Sequence, residues 1–274
     1  MKRMEKDLKD HIEQALSGEK KALESIVEEV KDLIYNLSLK MLLFPEDAED
    51  ATQEILIRMI THLSTFQGKS SFKTWVYRVA SNYLVTERSK KKYQAKRISF
   101  DEYADQIDKG QSDNVMHTDN EGEINLLEEE VKVSCTHGLL HCLAPTNRLI
   151  YILGDVLGFN SVEAAEILEI TPASFRKQLS RSREKVRNFL TAKCGLVDPG
   201  NPCRCKRKID FLIDQKMIDP KALRFAHHTS RSIDLMNKID SLDKTLSVFR
   251  SVPALEAPEE VLKEVKQMIR STTF

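Results

Sequence analysis

The chain has no run of eighteen apolar residues, which argues against a membrane-spanning helix and against membrane insertion. Its first residues, MKRMEKDLKDHIEQ, lack the apolar centre of a secretory signal peptide, so a cytoplasmic location is expected. Five cysteines, an odd number in a reducing compartment, argue against a disulfide framework. No alternation of apolar and polar residues marks a strand, and no internal repeat occurs. Net charge is absent too, because 42 Lys+Arg balance 42 Asp+Glu, which taken alone argues against a nucleic-acid partner. Tryptophan occurs once, as Trp75, within SFKTWVYRVASNYLVTERSKKK (71–92).

The even balance hides segregation. Residues 86–97 carry six basic side chains and one acid, whereas 101–130 carry eleven acids and only Lys109. Charge sorted into blocks says more about partners than the total does. With 31% charged and 41% hydrophobic residues, the 274-residue chain can form two modest cores. Helical periodicity dominates. Residues 4–17 and 20–43 read as helices broken at Ser17-Gly18. Pro45 then opens a third that runs to about Leu63, with acids in its first turn where the helix dipole favours them. The acidic segment between the two cores is poor in aromatics and reads as a linker unable to fold alone.

The stretch GFNSVEAAEILEITPASFRKQLSRSREKVRNFL (158–190) carries the clearest local grammar. Asn160 and Glu163 form a capping-box pattern that opens a short helix. Thr171 as N-cap and Pro172 at the first helical position open a second. There Phe175, Leu179, Val186 and Phe189 fall on the core face, while Arg176, Lys177, Ser180, Arg181 and Glu184 project elsewhere. Short helix, tight turn and basic second helix match a helix-turn-helix, whose second helix enters the major groove. A helical hairpin with a solvated basic face has the same pattern. Glu169 occupies the turn where such motifs commonly carry glycine, so a reshaped turn is expected.

FPEDAEDATQEILIRMITHLSTFQGKSSFKTWVYRVASN and LAPTNRLIYILGDVLGFNSVEAAEILEITPASFRKQLSRSREKVR resemble regions 2 and 4 of bacterial RNA polymerase sigma factors of the extracytoplasmic-function (ECF) class, the second less closely around GDVLGF. The resemblance implies an all-α protein with region 2 at 1–97, an acidic flexible linker at 98–131, region 4 at 132–193 and a small helical, cysteine-containing extension at 194–274. In that class the linker threads the polymerase cleft. Asp50, Gln53 and Glu54 match the helix that docks on the polymerase largest subunit. Residues Trp75, Tyr77, Arg78, Asn82, Arg88, Lys90, Lys91 and Lys92 match the segment that meets the −10 element, near the loop STFQGKSS. Thr86 stands where many relatives carry Asp, which leaves the preferred −10 sequence open. Thr171, Ser174, Arg176, Lys177, Ser180, Arg181 and Arg183 match the part of the second helix that meets the −35 element. On a helical wheel Phe72, Trp75, Val76, Val79 and Tyr83 form one stripe, which favours a core role for Trp75, while Tyr77, Arg78, Ser81, Leu84 and Arg88 lie mostly on the other side; Tyr77, Arg78, Asn82 and Arg88, with the lysines that follow, are the better candidates for DNA.

The expected function is promoter-specific initiation with core RNA polymerase and promoter DNA as partners, without catalysis and without a cofactor. Alternatives are a stand-alone helix-turn-helix regulator that binds duplex DNA without polymerase, a polymerase-binding adaptor that never reads DNA, and a metal-dependent enzyme. Zinc would need four ligands, commonly at C-x₂₋₄-C spacing, and CGLVDPGNPCRC offers only Cys194, Cys203 and Cys205, with His227 and His228 downstream. No metal is expected and structural or incidental cysteines are the leading reading; those cysteines are the candidates if a metal binds, and a redox-responsive thiol cluster is a further reading. The amphipathic stretch APEEVLKEVKQMIR needs a surface to pack on: its own region 4, the polymerase or an anti-sigma factor.

Overall fold

A computed structural model of the chain describes residues 2–42, 44–88, 98–226, 244–252 and 254–271. Among them are twelve α-helices and no strand ladder. The helices divide between two compact units, one formed by 1–88 with 165–171 and 254–274, the other by 89–164 with 172–253.

In the first unit, α1 (Lys2–Leu16), α2 (Lys20–Leu42), α3 (Pro45–Thr61) and α4 (Phe72–Arg88) follow the breaks read from the sequence. Gly18 takes φ +95°, a conformation open to glycine at no steric cost, and ends α1. Pro45 starts α3 with Glu46 and Asp47 in the first turn. The C-terminal half of α2 is buried on all sides from Ile34 to Leu42, which makes it the axis of the bundle. Helices α1, α3 and α4 pack around it, together with α12 (Glu259–Ser271) from the far end of the chain. The surface under the amphipathic C-terminal stretch is therefore none of the three expected; it is α2 and α3.

In the second unit the acidic segment departs from the expected linker. Residues 100–108 form α5 (Phe100–Asp108), opened by a reciprocal capping box between Ser99 and Glu102. Phe100 and Tyr103 lie against Phe189, each with ring centroids 5.7 Å apart, and the Tyr103 hydroxyl donates to the carbonyl of Cys135 (2.9 Å). Helix α6 (Glu121–His141) begins inside the acidic segment, where the Asn120 side chain accepts from the amides of Gly122 and Glu123. The segment is too poor in apolar groups to fold alone, but three anchors at i, i+3 and i+7 (Phe100, Tyr103, Ile107) are enough on a preformed surface.

The expected extension at 194–274 is likewise not one module. Residues up to 226 wrap onto α5 and α6: Ile209, in α10 (Ile209–Asp214), joins Ile124, Leu127, Val131 and Ile218 in one apolar cluster. The Lys208 ammonium donates to the carbonyls of Gln106 and Ile107, each at 3.2 Å, and caps the end of α5. The buried Glu130 carboxylate accepts from the amides of Arg224, Phe225 and Ala226 at 2.8–3.0 Å. The fully buried Arg148, in α7 (Pro145–Tyr151), closes the other end of α6 by donating to the carbonyls of Leu140, His141 and Leu143. Only α12 and the residues just before it join the first unit.

Lys40, on α2, is buried, and burial lowers its pKa to about 8, with no acidic group offsetting that cost among the described residues. The unfolded chain holds this proton up to about pH 10.4, so folding is penalised below about pH 8 and the penalty fades as pH rises from there to about 10.4. We expect Lys40→Met to stabilise the protein by up to about 3 kcal/mol at pH 7. The gain should shrink steadily above pH 8, as measured by urea unfolding at stepped pH.

Candidate nucleic-acid interface

The loop after α3 is pinned from below by aromatic rings. Phe66 meets Phe72 edge-on at 5.2 Å, and Trp75 stacks on Phe72 at 5.5 Å. Trp75 is 7% exposed and Tyr77 4%, so both are core side chains, and burial raises the Tyr77 hydroxyl pKa. This corrects the placement of Tyr77, and it removes Trp75 from the set of side chains facing DNA. The buried stripe of α4 runs through Val76, Ala80 and Leu84 and takes in Tyr77 and Ser81, whereas Val79 and Tyr83 are only half-buried. Ser81 and Leu84, expected on the other side of the wheel, belong to this stripe, because α4 packs on both α2 and α3. Exposed here are Ser64, Thr65, Gln67, Gly68, Lys69 and Ser71 in the loop, with Lys73, Asn82 and Thr86 along α4. Gly68 takes φ +67° with open space around it. Arg78 is half-buried, its guanidinium 3.1 Å from the Glu166 carboxylate. Arg88 is the last residue of α4, its side chain outside the described set, and Lys90, Lys91 and Lys92 lie outside the described residues.

On α3, Asp50 is exposed. Glu54 is half-buried and pairs with Arg58 at 2.8 Å, while Gln53 donates to the Glu264 carboxylate on α12.

Farther along the chain, the Asn160 side chain accepts from the amides of Val162 and Glu163, and the Glu163 carboxylate accepts from the Asn160 amide. This box opens α8 (Ser161–Leu168). Glu169 then takes φ +53°, the left-handed conformation that glycine would adopt more cheaply, so the turn keeps its hand without glycine. Pro172 starts α9 (Pro172–Lys193). Phe175, Leu179, Ser182, Val186 and Phe189 are buried, while Thr171, Lys177, Ser180 and Arg181 are exposed. Arg176 is exposed as well and donates to the Ser161 hydroxyl (3.2 Å); Ser174 is half-buried and accepts from Gln178.

Arg183 has a different task. Its guanidinium grips Asp155, which is 3% exposed, with Nε at 2.8 and 2.9 Å from the two carboxylate oxygens and Nη2 at 2.5 Å. Asp155 sits in a single turn of π-helix, Ile152–Val156, that continues α7. A Cβ on Gly154 in the same turn would lie 2.6 Å from a Leu179 methyl, so Leu179 would have to shift to admit one. Asp155 and Gly154 thus set where α9 lies. Sequence reasoning missed both; the weak match at GDVLGF was the only signal. Cys194 and Cys203 are backbone neighbours, the Gly195 amide donating to the Cys203 carbonyl, and burial raises both thiol pKa values. Among the described residues no three His, Cys, Asp or Glu side chains are arranged to hold a metal ion. His227 and His228 lie outside the described residues.

Two family models match this chain: Sigma-70 region 2 over residues 26–93 and Sigma-70, region 4 over 135–186. Over these spans the chain is similar to RNA polymerase sigma factors of the ECF class. It is 28% identical over 190 residues to the ECF RNA polymerase sigma factor SigW of Bacillus subtilis, covering 68% of this chain and 98% of that one. The RNA polymerase sigma-H factor of Pseudomonas aeruginosa is 23% identical over 176 residues, covering 64% and 89%. The solved structure of CnrH in complex with the cytosolic domain of CnrY is similar at 16% identity and a TM-score of 0.48, covering 68% and 98%. Both family models end before the cysteine-containing tail of the chain begins. No helix among its described residues is long and apolar enough to cross a membrane.

The buried rings and the exposed amide of α4 should separate cleanly. We expect Trp75→Ala to cost about 3–5 kcal/mol of folding stability. Asn82→Ala should stay within about 0.5 kcal/mol of the parent in the same denaturant titration.

Proposed function

We propose that the chain is a sigma factor that binds core polymerase and divides promoter recognition between two helices. Helix α9 enters the major groove of the −35 duplex and presents Arg176, Lys177, Ser180 and Arg181 to base edges and phosphates, with Thr171 and Ser174 at its entry. The loop tip at 67–69, Asn82 and the basic run after α4 take the unwound −10 strand. Asp50, Gln53 and Glu54 on α3 dock the largest subunit of polymerase. Arg183 serves as an anchor that holds α9 to Asp155 instead of reading DNA. The protein acts in the cytoplasm and as a subunit, with no catalytic groups of its own.

The observation that carries this reading is the division of α9: its basic side chains are exposed along the same helix whose apolar residues are buried. Arginine and lysine in that setting neutralise phosphates and offer donors to guanine. Few basic groups are available to meet phosphates, so the isolated protein should bind DNA weakly and with strong salt dependence.

The test is run-off transcription with purified core polymerase on a pool of genomic promoters. Wild type should select a defined set of start sites. Arg176→Ala combined with Lys177→Ala and Arg181→Ala should lower initiation there by about tenfold or more while leaving polymerase binding unchanged. The salt slope of promoter binding should fall by about 0.9 for each phosphate that the variant leaves unneutralised. Unchanged start-site selection by the triple variant would remove α9 as the −35 reader.

A further inference from the structure

Helix α12 lies on α2 and α3 and buries Val261, Leu262, Val265 and Ile269 against them. Its polar flank is matched to the same surface. The Arg270 guanidinium donates to the Glu24 carboxylate (2.8 Å) and holds that carboxyl below the usual range, Lys266 pairs with Glu28, and Glu264 accepts from Gln53. The chain just before α12 is tied down as well. Asn36 exchanges two hydrogen bonds with the Leu255 backbone at 2.6 and 2.9 Å, and Asp32 accepts from the Ala257 amide (2.8 Å).

Gln53 is thus already occupied, although the proposed function gives it to polymerase. The charge pattern says more. The α2–α3 surface offers Glu24, Glu28 and Asp32, with Asp50 and Glu54 beside Gln53, and α12 answers with Lys266 and Arg270. A basic partner helix would be drawn to the same carboxylates. The glue is also modest: four apolar side chains and ion pairs at least partly open to solvent, a class worth little each. Glu260 lies close enough to Glu49 to help raise its pKa, a like-charge approach that works against docking.

We infer that the α2–α3 face is a surface with two exclusive occupants, the chain's own helix α12 and a helical element of the polymerase largest subunit, so that α12 must leave before the sigma factor joins the enzyme. The inference rests on the proposed docking role of Asp50, Gln53 and Glu54. With α12 seated, only the fraction of molecules that have released it can bind, and the apparent affinity falls by that fraction.

The experiment measures binding of purified core polymerase to the full chain by fluorescence anisotropy. It compares wild type with two variants altered only in α12: Val265→Asp with Ile269→Asp, and the charge reversal Lys266→Glu with Arg270→Glu. The second keeps the apolar packing and covers the case in which the first fails to fold. A synthetic peptide of residues 254–271 is then added in trans. The charge reversal, and the aspartate variant if it folds, should bind core about tenfold more tightly than wild type, and the peptide should weaken that binding again. Equal binding by all proteins, with no effect of the peptide, overturns the inference and leaves the docking role of α3 intact. If no protein binds core at all, the docking role fails, and the inference fails with it.

Discussion

The last nine residues of α2 are buried on every side, and a helix in that position must be covered on every side. This requirement organises the first unit. Helices α1, α3 and α4 supply three walls in chain order, and the remaining strip along α2 and α3 is closed by a helix more than two hundred residues away. A region 2 ending at α4 would expose that strip to water. Exposed apolar surface of this kind marks a place where something binds, and in this chain the occupant is encoded in the same polypeptide.

In the second unit the comparable constraint is a buried charge. Asp155 sits in a π-helical turn beneath α9, where an unpaired carboxylate would be costly, and Arg183 meets it with several hydrogen bonds. Together with Gly154, which lets Leu179 and Phe175 come close, the pair fixes how α9 lies on its support. The exposed basic side chains of α9 are then presented by a helix whose position is set from below. The arginines of α9 do separate work: Arg176 and Arg181 face outward while Arg183 holds the helix.

Much of this was legible from local signals. Gly18, Pro45, the Asn160–Glu163 box and Pro172 each act within a turn or two, and each marks a helix end where it was read. The core face of α9 followed from its 3.6-residue period. What was not legible depends on neighbours distant in sequence. Tyr77, Ser81 and Leu84 read as surface positions until α2 and α3 are both packed on α4. Residues 98–131 read as a featureless acidic strap because Phe100, Tyr103 and Ile107 are too few to form a core, and their partners lie on α6 and α9. The surface under α12 was invisible for the same reason, since amphipathicity says that a helix has a partner without saying which.

The most direct test of the account is amide hydrogen exchange on the full-length protein, alone and bound to core polymerase. The account predicts slow exchange across α12 in the free protein. On binding, α12 should exchange fast while the amides of α3 around Asp50–Glu54 stay protected. An α12 that remains protected in the bound state would contradict the account, because the α2–α3 face would then hold its own helix and polymerase would dock elsewhere.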